Sequence, residues 1–352
     1  MHFRNLTFIG ALAVALSLMQ GSATAQTQIA KPETKSARPT WTPPRTVDGQ
    51  PDLQGVWANN NATPLQRPKQ LEGRALLNEQ EVAALKRKAS ELFDNGSSDA
   101  AFGDSVFESV LANVRGTKAG FKSTDGQTGD YSSVWLVTRD WDNRTSLITD
   151  PSDGRLPAMT PAAEKIQAKA AAARFSAAAG PEDRSLSERC ITFGSPRLGA
   201  GYNSYFQIFQ SAKEVAIVME TIHDVRLISL DGSPHLPANM QTWLGDSRGH
   251  WAGDTLVVDT TNYKPGVFMN VSTEKLHVVE KFTRTGADTV KWEITIDDPG
   301  AWSKPWSAMI PLRHSDDAIY EYSCHEGNYG LQGILAGARA DEKAAAAIAN
   351  AK

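Results

Sequence analysis

Residues 276–297 read LHVVEKFTRTGADTVKWEITID, two runs of alternating polar and apolar residues on either side of a glycine-containing turn. This pattern predicts a β-hairpin with strands at 276–284 and 289–297. Side chains alternate between the two faces of a strand, so Glu280 shares a face with the apolar residues of the first strand. His277 lies on the other face. We therefore expect Glu280 to point inward, while the opposite assignment would place His277 inside.

Similar short runs surround this hairpin, separated by turn residues at the intervals of an antiparallel meander. No helical crossover separates them, which argues against a parallel sheet. The fold class is therefore mainly β, an antiparallel up-and-down meander. A meander of this size removes its exposed edges by closing, so we expect a lipocalin-like barrel around a ligand cavity, with peripheral N-terminal and C-terminal helices. The other predicted strands are Phe206–Gln210, Val215–Glu220, Val225–Leu230, His250-Trp251 paired with Thr255–Thr261 across Ala252-Gly253-Asp254, and Pro305–Arg313 paired with Ala318–Cys324.

Helical patterns flank the predicted sheet. Apolar spacing predicts a helix over 77–93 with Asn78 as its N-cap, a short one over 106–114, and one that begins after Thr160 and ends at Gly180. The predicted organisation is a signal peptide at 1–25, a disordered tether at 26–50, an irregular and helical segment packing on the barrel at 51–200, the barrel core at 201–334, and an alanine-rich helix at 335–352.

The net charge and the N-terminal sequence indicate which partners and which compartment to expect. The 352-residue chain has a formal net charge of −4, so a nucleic acid is an unfavourable partner. An apolar run from Leu6 to Met19 precedes Ala23-Thr24-Ala25, which indicates a secretory signal peptide cleaved after Ala25 and a periplasmic or secreted protein without a membrane span. Cys190 and Cys324 are the two cysteines, and export favours a disulfide between them over two buried thiols.

The sequence was compared with two kinds of motif, the nucleophile elbow of serine hydrolases and the histidine spacings of metal sites. Gly245-Asp-Ser-Arg-Gly249 matches the G-x-S-x-G nucleophile elbow, yet a β-hairpin follows where the elbow needs a helix, so a strand-linking glycine loop is favoured over a serine hydrolase using Ser247. No H-x-H or H-E-x-x-H spacing occurs. We predict no cofactor and no metal ligand, with a divalent metal assembled from distant strands left open.

The remaining signal is a concentration of ionisable residues in and beside apolar strands. A buried carboxylate or imidazole must be hydrogen-bonded or change its protonation state, which suits it to general acid–base work, and arginine and tryptophan suit a small, aromatic substrate. The candidate catalytic residues are His223, His277, Glu280, Tyr320 and His325. The candidate substrate-binding residues are Arg144, Arg226, Trp243, Asp246, Arg248, Trp251 and Glu326.

These residues favour a cofactor-independent lyase, isomerase or hydrolase that acts on a small molecule. A non-catalytic barrel that binds a small ligand in the periplasm is the alternative, and a structural module of the cell envelope is a third interpretation. Oligomeric state is not indicated by the sequence.

Four blocks of the chain resemble a family of exported, largely uncharacterised bacterial β-rich proteins. They are Asp48–Trp57 (DGQPDLQGVW), Asn143–Pro151 (NRTSLITDP), the stretch from Trp243 that continues as GDSRGHWAGDTLVVDT, and Cys324–Gly330 (CHEGNYG). Gly55-Val56-Trp57 also resembles the G-x-W of the first lipocalin strand, which implies a barrel architecture.

Overall fold

The computed structural model describes residues 41–93, 104–117, 139–173, 176–201 and 203–350. Nine strands form a closed barrel, and a tenth, β2, lies outside it, so the predicted barrel is confirmed. The strands are β1 (Gly55–Ala58), β2 (Ile148–Asp150), β3 (Tyr205–Gln210), β4 (Glu214–Met219), β5 (Val225–Ser229), β6 (Asp246–Ala252), β7 (Thr255–Thr261), β8 (His277–Gly286), β9 (Thr289–Asp297) and β10 (Trp306–Ser315).

The short first strand closes the barrel. β1 pairs antiparallel with β3 on one side, where Trp57 lies opposite Phe206, and with β10 on the other, where Trp57 lies opposite His314. β1 thereby closes the sheet between β3 and β10. Outer strand β2 pairs with β10 at Ala308.

The predicted strand at Ala318–Cys324 is wrong. These residues contain no strand, and β10 pairs instead with β9 and β1. Residues 318–324 follow β10 directly in the chain, which favoured them as its partner. In the structure β1, more than 240 positions earlier in the chain, pairs with β10 instead. Cys324 therefore lies in a loop after the barrel and not on its last strand.

The meander is antiparallel except at β5 and β6, where the expectation of a wholly antiparallel sheet fails. These strands run parallel and pair only at Ile228 with Ser247 and at Ser229 with Arg248. Residues 230–245 carry the chain back along the barrel to make this pairing possible. At Gly249 a Cβ would lie 2.7 Å from Cγ2 of Ile228, so glycine allows the close approach of the two strands.

Aromatic side chains fill much of the barrel interior. The rings of Phe282 and Trp292 stack with centroids 5.7 Å apart, and Phe206 meets Trp292 edge-on at 5.7 Å. Trp57 is fully buried and donates its indole N–H to the carbonyl oxygen of Leu53 at 2.8 Å. These aromatic side chains pack closely against one another in the described part of the barrel interior.

In the described part of the chain, four α-helices lie outside the barrel: α1 (Glu79–Phe93), α2 (Asp104–Val114), α3 (Pro161–Ala173) and α4 (Tyr329–Asn350). The predicted caps of α1 and α3 are present. Asn78 accepts from the Glu81 N–H at 2.9 Å while Glu81 accepts from the Asn78 N–H, and Thr160 accepts from the Ala163 N–H at 3.1 Å.

The predicted tether overlaps an ordered segment. Residues 26–40 lie outside the described part of the chain, but Pro43 is buried and Arg45 forms an ion pair of 2.5 Å with Asp254 in the turn between β6 and β7. The proposed disorder of residues 41–50 is therefore wrong, because contacts with the barrel compensate for their polar, proline-rich composition.

The disulfide between Cys190 and Cys324 is confirmed and joins residues 134 positions apart. It ties the segment before α4 to the irregular segment before β3. Within the described residues, no helix is both long and apolar enough to cross a membrane.

Candidate acid–base site on the outer barrel wall

A group of charged side chains lies on the outer face of β6, β7 and β8. The two-residue turn between β6 and β7 sets Arg248 directly opposite Asp259. Asp259 in turn pairs with Val279, so His277, two residues earlier on the same face of β8, is its diagonal neighbour. Strand pairing alone thus brings Arg248, Asp259 and His277 together.

The connection between β5 and β6 supplies His235. Asn262, just after β7, donates its side-chain amide to the carbonyl oxygens of Leu236 at 2.9 Å and Pro237 at 3.1 Å, which fixes the connection against the barrel. Thr242 adds a parallel bridge to Tyr263. These contacts hold His235 against the outer face of the barrel, beside the start of β6 and the end of β7.

Asp259 bridges two histidines. Its Oδ1 lies 2.8 Å from Nε2 of His235 and its Oδ2 lies 2.8 Å from Nε2 of His277. The side chains of Asp259 and His277 are 41% and 40% exposed, so a small molecule can reach this end of the group.

His235 also contacts a second carboxylate. Its Nδ1 lies 3.0 Å from Oδ2 of Asp246, which also accepts the Leu236 N–H at 2.9 Å, and Arg248 pairs with Oδ1 of Asp246 at 2.7 Å. Both ring nitrogens of His235 therefore lie within hydrogen-bond distance of a carboxylate oxygen, which fixes the orientation of the ring. We call these five residues the Asp259 cluster: Arg248, Asp246, His235, Asp259 and His277.

Electrostatics favour the ionised form of the bridging carboxylate. Partial burial opposes the charge of Asp259, but the hydrogen bonds from His277 and His235 outweigh it and lower the pKa of the carboxyl below its usual value. An ionised Asp259 that accepts Nε2–H of His277 leaves Nδ1 of that ring as a base, as in other carboxylate–histidine pairs. The cluster can therefore accept and release protons at an exposed imidazole.

A second polar group lies inside the barrel. Arg226 donates from Nη1 to Oε1 of Glu280 at 3.0 Å and pairs through Nη2 with Oε2, while Trp292 Nε1 donates to Oε1 at 3.1 Å. Burial alone would lower the pKa of Arg226, but the charge and hydrogen bonds of Glu280 raise it above its ordinary value. The inward position predicted for Glu280 is confirmed, and its contacts are those of a structural anchor.

Ser247 lies in β6, not on a strand-to-helix turn. Its buried hydroxyl lies 3.0 Å from that of Thr260, and β6 continues into the β6–β7 hairpin. The strained, exposed serine of a nucleophile elbow is therefore not formed here.

The other predicted site residues lie apart from the Asp259 cluster. Arg144 is held by Asp142 and by the carbonyl oxygen of Met309, and Trp251 packs against the barrel core. Tyr320, His325 and Glu326 are exposed in the segment that follows β10, so the prediction that they end a barrel strand is wrong. His223 belongs to the turn Thr221–His223, and its side chain lies outside the described part of the structure.

Sequence reasoning named His277, Asp246 and Arg248 but omitted His235 and Asp259 from the site. A signal for Asp259 existed, since the Gly253-Asp254 turn fixes the hairpin register that places it opposite Arg248. His235 carried no such signal, because only the folding of residues 230–245 brings it to the strands. Within the described ranges, no three His, Cys, Asp or Glu side chains are arranged to hold a metal ion.

Comparisons with known proteins give little further guidance. No protein-family model matches the chain, and no curated protein matches it. Among solved structures, a mutant of the fluorescent protein UnaG shows similarity at 12% identity and a TM-score of 0.21, over 32% of this chain and 72% of that one. At that TM-score the likeness adds nothing to the barrel architecture described above.

Proposed function

We propose that the protein is an exported small-molecule enzyme that uses cofactor-independent acid–base chemistry, as a lyase, isomerase or hydrolase, at the Asp259 cluster. The observation that carries this proposal is the carboxylate of Asp259, which bridges two imidazoles on a rigid strand framework at the protein surface.

Each member of the cluster has a distinct role in the proposal. His277, the more exposed imidazole, transfers the proton to or from the substrate, and Asp259 orients its ring. His235 fixes Asp259 from the other side. Asp246 and Arg248 in turn hold His235, so they are positioning residues.

Replacing His277 by Gln should lower turnover by about a hundredfold or more while leaving the fold intact, because deletion of a general acid or base costs this much. Turnover is first established by following depletion and product mass in a metabolite extract incubated with the protein. Free imidazole should restore part of the activity of His277→Ala, since the site is open to solvent.

Two comparison variants sharpen this test. His250→Gln changes an exposed histidine on the same strand as Arg248, outside the cluster, and should keep wild-type turnover. Ser247→Ala should also retain activity. Full activity of folded His277→Gln would overturn the proposal, and loss of turnover in folded Ser247→Ala would replace it with a serine hydrolase.

A non-catalytic ligand-binding barrel is the second candidate function. A cavity of about 400 Å³ in the barrel wall, lined in part by Trp243, favours it. Saturable binding in that cavity without any chemical change of the ligand in the extract would support binding alone.

We further propose that the protein acts outside the cytoplasm after removal of residues 1–25. The Cys190–Cys324 disulfide supports an oxidising compartment. Intact mass of the protein recovered from the periplasm should correspond to a chain that begins at Gln26 with both cysteines oxidised. A chain that retains Met1 contradicts the proposed cleavage.

A further inference from the structure

The wall of the barrel opens where β5 and β6 meet. The two strands pair at only two positions, and before those positions their backbones diverge. Residues 225–227 form one side of the resulting cavity and residues 242–245 the other, and it encloses about 400 Å³. Its volume lies within the range of about 300–1,000 Å³ that is usual for small-molecule sites.

The walls of this cavity are apolar and partly open to solvent. Val225 and Leu227, on the same face of β5, remain 44% and 64% exposed. Trp243 faces them, and Lys264 Nζ lies 4.5 Å from the centre of its indole ring, which holds the ring by a cation–π contact. A flat apolar molecule would bury these surfaces.

The cavity has a polar floor. Arg226 and Ser247 line it, and both side chains are almost fully buried. The two terminal nitrogens of Arg226 are engaged with Glu280, whereas its buried Nε has no hydrogen-bond partner among the described residues. An unsatisfied buried donor is costly, so a ligand that supplies an acceptor there gains affinity.

The carboxylates near the cavity determine which kind of acceptor suits Arg226 Nε. Glu280 already neutralises Arg226, so a second carboxylate beside this pair would bring an unpaired negative charge into a buried site. Asp224 adds a further carboxylate at the cavity lining. A neutral carbonyl oxygen can accept from Nε without this penalty.

We propose that the cavity between β5 and β6 binds a small, neutral aromatic carbonyl compound, with its ring against Trp243 and its carbonyl oxygen at Arg226 Nε and the Ser247 hydroxyl. This binding does not require catalysis at the Asp259 cluster. The test distinguishes the two sites, because it measures binding and does not depend on turnover at the Asp259 cluster.

The probe is 4-fluoroacetophenone, followed by fluorine NMR of the ligand against full-length protein, with 4-fluorobenzoate as the matched anion. We expect saturable binding of the ketone and at least tenfold weaker binding of the benzoate. Val225→Trp places an indole in the cavity and should raise the Kd of the ketone at least tenfold, and Leu227→Glu should weaken it in the same direction.

Phe209→Trp is the matched control, because Phe209 is a large hydrophobic residue 47% exposed on β3 and is not part of the cavity lining. It should leave the Kd within about twofold of wild type. The proposal is overturned if the ketone does not saturate, if benzoate binds as tightly, or if folded Val225→Trp and Leu227→Glu both bind as wild type does.

Discussion

Replacing Glu280 by Gln should lower the free energy of unfolding by about 3–5 kcal/mol, because it leaves the charge of Arg226 buried without a counterion. Glu280 is completely buried, and its two carboxylate oxygens take both terminal nitrogens of Arg226. The substitution keeps the shape of the side chain and an acceptor for Trp292, but it removes the negative charge and the acceptor of Arg226 Nη2, so the loss reports both. Guanidinium chloride unfolding at pH 7, with the disulfide intact, measures it.

Two further variants serve as controls for this prediction. Glu293→Gln removes an exposed carboxylate on neighbouring β9 that pairs with Lys291, and should change stability by less than about 1 kcal/mol. The double variant Arg226→Met/Glu280→Leu removes both charges and should recover most of the loss, since apolar replacements of buried ion pairs are often well tolerated. Wild-type stability of Glu280→Gln would show that the pair is not essential to the barrel interior.

Removing the disulfide with the double substitution Cys190→Ser/Cys324→Ser should cost about 2–5 kcal/mol, in the range found for native disulfides. The bridge closes a loop across 134 positions, and the chain-entropy model gives a value near the upper end of this range. Replacement of both cysteines avoids a free thiol. Differential unfolding of wild type and variant, each with and without reductant, isolates the contribution of the bridge.

The loss should be concentrated near the C-terminal helix. The side-chain amide of Asn328 lies 3.3 Å from Cys190 Sγ and donates to the carbonyl oxygen of Glu188 at 2.9 Å. The bridge and these contacts therefore hold the start of α4 against residues 188–190. Hydrogen exchange should therefore increase in α4 more than in β7 and β8. Reductant should leave the double variant unchanged, and equal stability of variant and wild type would contradict a stabilising role for the bridge.

Local pattern was sufficient for the parts of the fold that depend on neighbours in sequence. The alternation in residues 276–297 and their four-residue turn specify the β8–β9 hairpin, its face and the inward Glu280. The capping residues Asn78 and Thr160 mark the starts of α1 and α3 in the same way. With two cysteines in the sequence, an intramolecular disulfide had a single possible pairing.

The tertiary structure decided what depends on distant parts of the chain. The closing strand β1 and the parallel pairing of β5 with β6 leave no mark in strand periodicity, because alternation specifies which face is buried but not which strand lies alongside. The Asp259 cluster follows the same division. Hairpin register sets Arg248 opposite Asp259, but His235 reaches them only because Asn262 and Thr242 fix residues 230–245 across the barrel wall. Those contacts join segments about 20–25 residues apart through side-chain hydrogen bonds and a backbone bridge, which no local propensity encodes.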